Sequence, residues 1–402
     1  MLDSHDVRLG EILRITHGYA FPGSEFSDDT RYPTLVTPGN FATSGGFREA
    51  KTKTFTGDVP PGFELVPDDL VITMTDLSRE GDTLGLPALI PPGRRYLHNQ
   101  RIGRVQIIAE NFVNKFFLAY YLRTNRYRSY ILGTSTGSTV RHTSPSRIES
   151  FVAHLPPLPE QIAIAEVLGA LDDKIAANTK LADSSLQLAQ TLFRAEVSSG
   201  VNVMLADSCD LLSRGIAPKY SNDDESIIVL NQKCVRDQRV SLEPARRTDV
   251  SKVRPQKELI ANDVLVNSTG QGTLGRVARW TYATRVTVDS HITIVRFDPD
   301  LVDPVCGGFA MLNSEMEITA MAEGSTGQTE LSRRELGKLK LNLPVPEKQG
   351  KLGERLANMS AMENSYLSEN QELALLRDTL LPQLMSGKLN VKQAEKIVAS
   401  AL

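Results

Sequence analysis

The chain has 402 residues, enough for two or three domains that each bury a core, and its 41% apolar and 23% charged residues are typical of a globular protein. It contains no apolar run of 18 residues, and its polar, acidic N-terminus does not resemble a signal peptide, so we expect neither a transmembrane helix nor secretion. Three scattered cysteines exclude a disulfide framework and a CxxC metal site, which favours a reducing, cytoplasmic location. The net charge of −3 argues against a protein that coats nucleic acid non-specifically.

Positive charge is nevertheless concentrated in two stretches. Residues 94–147 hold ten Lys and Arg against one acid, Glu110, and residues 231–257 hold eight against three. Such stretches in a neutral chain fit docking on a polyanion at chosen surfaces, although one of them alone is more typical of a solvated face.

The elements alternate along the chain. Residues 1–155 mix short strand-like runs such as LVITM with Gly/Pro turns and one predicted helix from Asn111. A long Gly-poor helix is predicted within 156–201. A second mixed segment, 202–343, again has one predicted helix, from Pro304, and the final segment, 344–402, has a second long helix from Glu347 to about Leu381, closed by Pro382.

These segments form an internal repeat. Five short matches keep the same order: DLVITMT with DVLVNST, TLGLPA with TLGRVA, NQRIGRV with DSHITIV, STGST with STGQT, and LPPLPEQ with LPVPEKQ. Their offsets drift only from 194 to 188 residues. The pattern therefore indicates a tandem duplication of a unit of about 190 residues.

Each long helix carries an apolar stripe with steps of three, four and seven residues, which is the pattern of a helix seam. We expect the packing positions to be Ile164, Leu168, Leu171, Ile175 and Leu192 in the first helix and Leu352, Leu356, Met359, Leu373 and Leu380 in the second. A dimerisation coiled coil would bury these stripes, but two similar helices in one chain favour an intramolecular antiparallel pair.

Three features of the chain are specific: the element PPLPEQ…IAEVLGALDDKI above all, the segment LLPQLMSGKL and the STG.T repeats. Through them the chain resembles, over nearly its whole length, the specificity subunit of Type I restriction–modification systems. Val345, Glu347 and Lys348 depart from the family's usual LPPL.EQ, which we interpret as drift within the repeat.

The resemblance implies an α+β fold in which two globular target recognition domains are joined by two long antiparallel helices, as a pseudo-twofold tandem repeat with an intramolecular coiled coil. Each domain would read one half of a bipartite double-stranded DNA site. Two modification (methyltransferase) subunits and restriction/translocase subunits would dock on the scaffold. S-adenosylmethionine, ATP and Mg are then expected on those partner subunits and not on this chain.

The sequence has no convincing catalytic motif. None of its PP pairs has the polar residue before and the aromatic residue after that an amino-methyltransferase needs, and no G-x-x-x-x-G-K-[ST] loop is present. We therefore expect no catalytic residue, no metal site and no enzyme activity. Two other interpretations stay open at this point: a coiled-coil adaptor that does not bind DNA, and the recognition subunit of a modification-only system.

Equivalent loops of the repeat are the candidate DNA contacts. Loop 1 is Thr75–Gly85 or Thr269–Arg276, loop 2 is His98–Arg101 or Asp289–His291, and loop 3 is Ser135–His142 or Ser325–Arg334. Arg and Gln pair with base edges, whereas Ser and Thr suit phosphates. The loop candidates are Arg79, Asn99, Gln100, Arg101, Thr136, Ser138, Arg141, Gln271, Arg276, Ser290, His291, Gln328 and Arg333. Lys233, Arg236, Arg239, Arg246 and Arg247 are expected to contact phosphates.

Overall fold

The computed structural model describes residues 5–49, 53–223, 225–323 and 330–402. Their contacts divide the chain into two compact units. Unit 1 comprises Met1–Ile175 and Gln371–Leu402, and unit 2 comprises Ala176–Asn370. Each unit thus combines a mixed domain with one half of each long helix. Among the described residues, no helix has the length and apolar character needed to cross a bilayer.

The helices are α1 (Leu9–Ile12), α2 (Lys115–Tyr121), α3 (Asn125–Thr134), α4 (Pro145–Glu149), α5 (Leu158–Glu196), α6 (Pro304–Asn313), α7 (Glu315–Glu323), α8 (Arg333–Gly337), α9 (Pro346–Met385) and α10 (Val391–Ala401). The strands of the first domain are β1 (His5–Arg8), β2 (Leu13–His17), β3 (Phe26–Ser27), β4 (Thr34–Leu35), β5 (Thr54–Phe55), β6 (Glu64–Leu65), β7 (Leu70–Thr73), β8 (Thr75–Asp76), β9 (Pro87–Leu89), β10 (Tyr96–Leu97), β11 (Ile102–Ile107), β12 (Arg141–His142) and β13 (Val152–Leu155). Those of the second domain are β14 (Val201–Met204), β15 (Cys209–Arg214), β16 (Ser226–Leu230), β17 (Val235–Arg236), β18 (Arg239–Val240), β19 (Arg246–Asp249), β20 (Val264–Asn267), β21 (Val277–Arg279), β22 (Val286–Val288), β23 (Ile292–Phe297) and β24 (Lys340–Leu343).

The sheet order of the first domain recurs in the second. The main sheet has the order β2-β11-β7-β9 in one and β15-β23-β20-β21 in the other. A parallel pair, β4 with β10 or β16 with β22, lies in a second sheet, and the ends of each domain are joined by β1 with β13 or β14 with β24. The inner strands β7 and β20 are buried along their whole length, which explains their unbroken apolar runs. The two domains are therefore two copies of one α+β topology, as the sequence repeat predicts.

The long helices run antiparallel within each unit. In unit 1, Asp172 Oδ1 lies 2.5 Å from Arg377 Nη1. In unit 2, Asn370 donates to Thr179 Oγ1 at 3.0 Å, and Lys348 Nζ lies 3.0 Å from Glu196 Oε2. Because residue numbers rise along α5 as they fall along α9, the pairing is antiparallel and within one chain.

The apolar stripes of both helices face the cores of their units. Ile164, Leu168, Leu171, Leu352, Leu356, Leu373 and Leu380 are buried, and Ile175, Leu192 and Met359 are partly buried. In unit 1 the stripe packs on β- and α-elements of the first domain, and in unit 2 on those of the second. In each unit, the paired segments of the two long helices thus share a hydrophobic core with the domain of that unit.

The final glutamine of the repeated motif, which reads LPPLPEQ in the first copy and LPVPEKQ in the second, has a structural role. Gln161 is buried, donates to Pro156 O at 2.8 Å and Phe112 O at 3.0 Å, and accepts from Asn114 N at 2.9 Å. Asn114 is the N-cap residue of α2. The motif therefore fixes the start of the long helix to the start of a helix in the domain.

The second copy makes the same connection. Gln349 is buried, donates to Pro344 O at 2.8 Å and accepts from Asp303 N at 2.9 Å. Asp303 is the N-cap residue of α6, the counterpart of α2. The departures from the motif at Val345, Glu347 and Lys348 leave this hydrogen-bonded connection intact.

Two helices that the sequence predicts as single elements are each divided in the structure, so both predictions were wrong. The single helix expected from Asn111 is broken into α2 and α3, where Thr124 is extended and its hydroxyl donates to Tyr121 O at 2.7 Å. The helix expected from Pro304 is likewise divided at Ser314, whose hydroxyl donates to Ala310 O at 3.0 Å. At Thr124 and at Ser314 the backbone leaves helical dihedral angles, so the helical hydrogen-bond ladder stops there.

The end of the chain also differs from expectation. Pro382 lies inside α9, which continues to Met385, because a proline in the final turn removes only one helical hydrogen bond. The helix α10 was not expected, although Asn390 and Gln393 form a capping box before an apolar stripe of Ala394 and Val398. The boundaries 1–155, 156–201, 202–343 and 344–402 stay predictions.

Candidate nucleic-acid interface

Three loops of the first domain meet at the residue that follows β7. Met74 N donates to Arg101 O of loop 2 at 2.9 Å, and Met74 O accepts from Thr143 N, just after loop 3, at 3.0 Å. The pairing of β8 with β12 further joins the start of loop 1 to the end of loop 3. The backbone thus assembles three segments that are distant in sequence into one surface.

The second domain builds the same assembly. Ser268, which follows β20, donates to His291 O of loop 2 at 2.9 Å and accepts from Leu331 N of loop 3 at 2.9 Å. A β-bridge between Thr269 and Glu330 takes the place of the β8–β12 pair. The duplicated hydrogen bonds show that the three loops form a unit in both copies.

Loop 1 of the first domain is held in shape by a carboxylate and a guanidinium. Asp76 accepts from Ser78 N at 2.6 Å and from Thr83 N at 2.5 Å. Burial opposes ionisation of Asp76, but these hydrogen bonds outweigh it and lower the pKa of the carboxyl. Arg128 of α3 donates to Gly81 O at 2.9 Å and also to Leu84 O. Asp76 and Arg128 are therefore occupied within the protein, which leaves the tip of the loop to face outward.

Most candidate contacts are exposed on these surfaces. The exposed candidates are Arg79, Gln100, Arg101, Thr136 and Ser138 in the first domain and Lys233, Arg236, Arg246, Gln271, Ser290, His291 and Arg333 in the second. Asn99, Arg141 and Arg276 are half-buried. Gln328, with residues 325–329 of loop 3, lies outside the described residues. Their roles as DNA contacts stay predictions.

Two half-buried arginines also stabilise the loops. Arg141 donates to Arg79 O at 2.9 Å and to Ser135 Oγ at 3.1 Å, and so ties loop 3 to loop 1. Arg276 donates to Gly272 O at 2.9 Å within its own loop. Both guanidiniums keep further N–H groups available, since arginine has five donors.

Two arginines expected to contact phosphates have other partners. Arg239 donates to Glu363 Oε1 at 2.6 Å and to Asp183 Oδ1 at 2.7 Å, which anchors β18 on the long helices within unit 2. Arg247 donates to Ser226 Oγ at 2.7 Å, across the β16–β19 pair. Burial raises the pKa of Glu363, and Arg239 opposes that shift. Both side chains therefore connect elements of unit 2. Their partners lie far away in sequence, so the local charge pattern gave no sign of these contacts.

Loop 2 contains a buried titratable group in each domain. His98 Nε2 donates to Ile102 O at 2.9 Å, and burial lowers the pKa of His98 to about 4, so the ring is neutral at pH 7. Asp289 is buried and accepts from His291 N at 2.9 Å, while burial raises the pKa of Asp289. Both groups shape loop 2 from beneath and leave Gln100, Arg101 and His291 to face solvent.

Arg214 is a member of the second site that sequence reasoning missed. It donates to Ser290 O of loop 2 at 3.0 Å, to Leu331 O of loop 3 at 2.9 Å and to Glu330 Oε1 at 2.7 Å. It stands at the end of β15, far in sequence from both loops. The repeat gives no signal for it, because His17 occupies the matching position beside β11.

Within the described ranges, no three His, Cys, Asp or Glu side chains are grouped so that they could hold a metal ion. The arrangement offers exposed donors on a rigid backbone frame, which suits recognition of a polyanion and its base edges.

Comparisons with known proteins agree on one family. Residues 1–184 match the Type I restriction modification DNA specificity domain. The Type I restriction enzyme EcoBI specificity subunit of Escherichia coli is 29% identical over 180 residues, which are 42% of this chain and 34% of that protein. The StySPI specificity subunit of Salmonella potsdam is 21% identical over 310 residues, 69% of this chain and 65% of that protein. The matches thus span about a third and about two-thirds of these relatives' lengths.

The fold extends the likeness beyond the first domain. The crystal structure of the Type-I restriction-modification system S subunit from M. genitalium superimposes with a TM-score of 0.56 at 14% identity, over 95% of this chain and 96% of that one. Residues 1–184, just under half of the chain, are therefore similar to the Type I restriction modification DNA specificity domain, and over nearly its whole length the chain has the fold of the M. genitalium S subunit.

Proposed function

We propose that this chain is the sequence-specific DNA-binding specificity subunit of a Type I restriction–modification complex. Each domain reads one half of a bipartite target, and the subunit supplies recognition and assembly without catalysing a reaction. Support comes from the family match of residues 1–184 and from the duplicated loop assembly.

The observation that carries this proposal is the pair of equivalent three-loop surfaces. Met74 and Ser268 make the same two backbone hydrogen bonds, so both copies present the same three loops. The side chains that these loops expose differ: Arg79, Gln100 and Arg101 in one copy, and Gln271, Ser290 and His291 in the other. Two like frames with unlike side chains are suited to reading two different half-sites.

Partners and cofactors follow from this role. Two modification subunits, which would bring S-adenosylmethionine, and restriction/translocase subunits, which would bring ATP and Mg, are the proposed protein partners. The proposal places the complex on double-stranded DNA in the cytoplasm, with no membrane association. The absence of a phosphate-binding loop and of a methyltransferase motif from this sequence supports the assignment of that chemistry to other chains.

The test is the methylation pattern of a host that expresses this chain with its modification subunit. N6-methyladenine in a split motif, with two defined halves around a fixed gap, is the expected result. Arg101→Ala should relax or alter one half only, and His291→Ala the other, since these side chains are exposed on loop 2 of different domains.

Lys115→Ala is the matched control for the first domain. Lys115 opens α2, which follows the opposite end of β11 from loop 2, so this variant removes a positive charge away from the loops. It should leave both halves of the motif unchanged. A continuous motif, or loss of both halves from one single substitution, would count against one reader per domain.

A further inference from the structure

A cluster of four cationic side chains borders loops 2 and 3 of the second domain, and neighbouring carboxylates neutralise it only in part. It consists of Arg214, Arg254, Lys257 and Arg333. Glu330, whose side chain is 60% exposed, is the one carboxylate that forms an ion pair with any of the four among the described residues. Arg254 and Arg333 are exposed.

Lys257 is held at the centre of this cluster by its backbone. Its carbonyl accepts from the hydroxyl of Thr287, a fully buried residue of β22, at 2.8 Å. Its half-buried side chain crosses to the end of β15, where Nζ donates to Arg214 O at 2.5 Å and to the hydroxyl of Ser213. The ammonium is therefore positioned and has neutral acceptors only, within the part of the chain that the structure describes.

Burial and the mutual repulsion of the positive charges in this cluster both lower the pKa values of Lys257 and Arg214. Burial lowers the pKa of Lys257, and the positive charges of Arg333 and Arg254 lower it further. Burial likewise lowers the pKa of Arg214, with Glu330 opposing the shift and Arg333 adding to it. An anion placed among these groups would relieve their mutual repulsion.

Among the described residues of the first domain, the matching place holds no such cluster. The bidentate pair of Arg285 with Glu258 is repeated there by Arg95 with Glu64. The residue before the glutamate, however, is Lys257 in the second domain and Phe63 in the first. Phe63 packs its ring 5.4 Å from that of Tyr19. The cation cluster is thus a property of the second domain and not of the shared fold.

We propose that Lys257, Arg254 and Arg333, framed by Arg214, bind a DNA backbone phosphate beside the second half-site. The inference rests on the proposed function and deepens it. Arg214 contacts both loop 2 and loop 3, so a phosphate bound here would set the position of the second reader on the duplex. Phosphate contacts fix register and orientation without reading sequence, which makes this a positioning site.

The experiment measures DNA binding by the full-length chain co-purified with its modification subunit. Two fluorescein-labelled duplexes are used: one with the methylated motif and one with its second half scrambled. The variants are Lys257→Met, which keeps the length of the side chain, and Arg333→Gln at an exposed position. Lys338→Met is the control, because Lys338 is already neutralised by Glu335 at 2.7 Å.

For Lys257→Met and Arg333→Gln, the slope of log affinity against log salt should fall by about 1, with the same weakening on both duplexes. The control should keep the wild-type slope. An unchanged slope in both variants, or a loss confined to the intact motif, would overturn the phosphate site. If Lys257→Met fails to fold, Arg333→Gln alone decides. Failure of the unmodified complex to distinguish the two duplexes would instead refute the proposed function.

Discussion

Removal of the buried glutamine of the repeated motif should loosen the domain from its helix, more in the first copy than in the second. Gln161→Ala leaves three backbone groups without their partners: Phe112 O, Pro156 O and Asn114 N. Gln349→Ala leaves two, Pro344 O and Asp303 N. The difference of one hydrogen bond gives the two substitutions different expected costs.

Each shielded group that loses its partner costs at least about 1 kcal/mol, so we expect losses of about 3 kcal/mol for Gln161→Ala and about 2 kcal/mol for Gln349→Ala. For a folding unit of about 200 residues, 1 kcal/mol corresponds to roughly 2–4 °C. The unfolding midpoints of the affected units should therefore fall by about 6–12 °C and about 4–8 °C.

Differential scanning calorimetry with hydrogen exchange of peptides from α2 and α6 is the assay, because two units need not unfold in a single transition. In Gln161→Ala, exchange should rise at the start of α2, where Asn114 N has lost its acceptor. Gln187→Ala, an exposed position on the same long helix, should shift the midpoint by less than about 2 °C. Equal, negligible shifts in all three variants would refute the structural role of the motif.

Further predictions concern buried charge, pH and backbone space. Asp172→Ala should lower the free energy of unfolding by about 3 kcal/mol, because the buried guanidinium of Arg377 loses one of its carboxylate partners. Asp173→Ala, at the exposed position that follows, should have little effect on the melting midpoint. His98 has a pKa of about 4 in the folded chain against 6.5 in the unfolded chain, so the unfolded state binds the proton first as the pH falls. The free energy of unfolding should therefore fall by up to about 3 kcal/mol between pH 6.5 and pH 4. His98→Gln should flatten this dependence in melting curves recorded at a series of pH values. Gly215→Ala would place Cβ 2.2 Å from backbone oxygens of β22 and loop 2 and should lower the melting midpoint, whereas Gly350→Ala, where a Cβ meets open space in α9, should raise it slightly.

The two-domain architecture could be predicted from the sequence because the repeat and the helical stripes can be read directly from residue order. The strands LVIT and VLVN, which the repeat aligns, occupy the same inner place in two sheets of the same order. The stripe residues of both long helices face the cores of their units. The inner strands and the helical stripes depend only on the apolar pattern and on the offset between the copies, and both signals remain readable although the two copies differ in sequence.

The breaks between helices were not predictable from apolar pattern. Thr124 and Ser314 lie at the breaks, and neither is a Gly or Pro, the residues that usually signal a break in a helical pattern. Similarly, α10 is short and amphipathic, and its capping box, Asn390 with Gln393, is a weak signal on its own.

The candidate site was predicted at the level of loops and not of individual contacts. Offsets between the copies identified the three loops, and the hydrogen bonds of Met74 and Ser268 bring those loops together. Local charge, however, did not separate Arg239, which is paired with Glu363 and Asp183, from neighbouring arginines that face solvent. Arg214 was missed for the same reason, since ion pairs across the fold depend on distances that one segment does not encode.

The central claim is that each domain reads its own half of a divided target. The most direct measurement replaces residues 1–155 with the corresponding domain of a Type I specificity subunit and sequences the methylome of a host that expresses the hybrid with its modification subunit. Our account predicts that one half of the methylated motif changes while the other half and the gap between them stay the same. A change in both halves, or an unchanged motif, would contradict it.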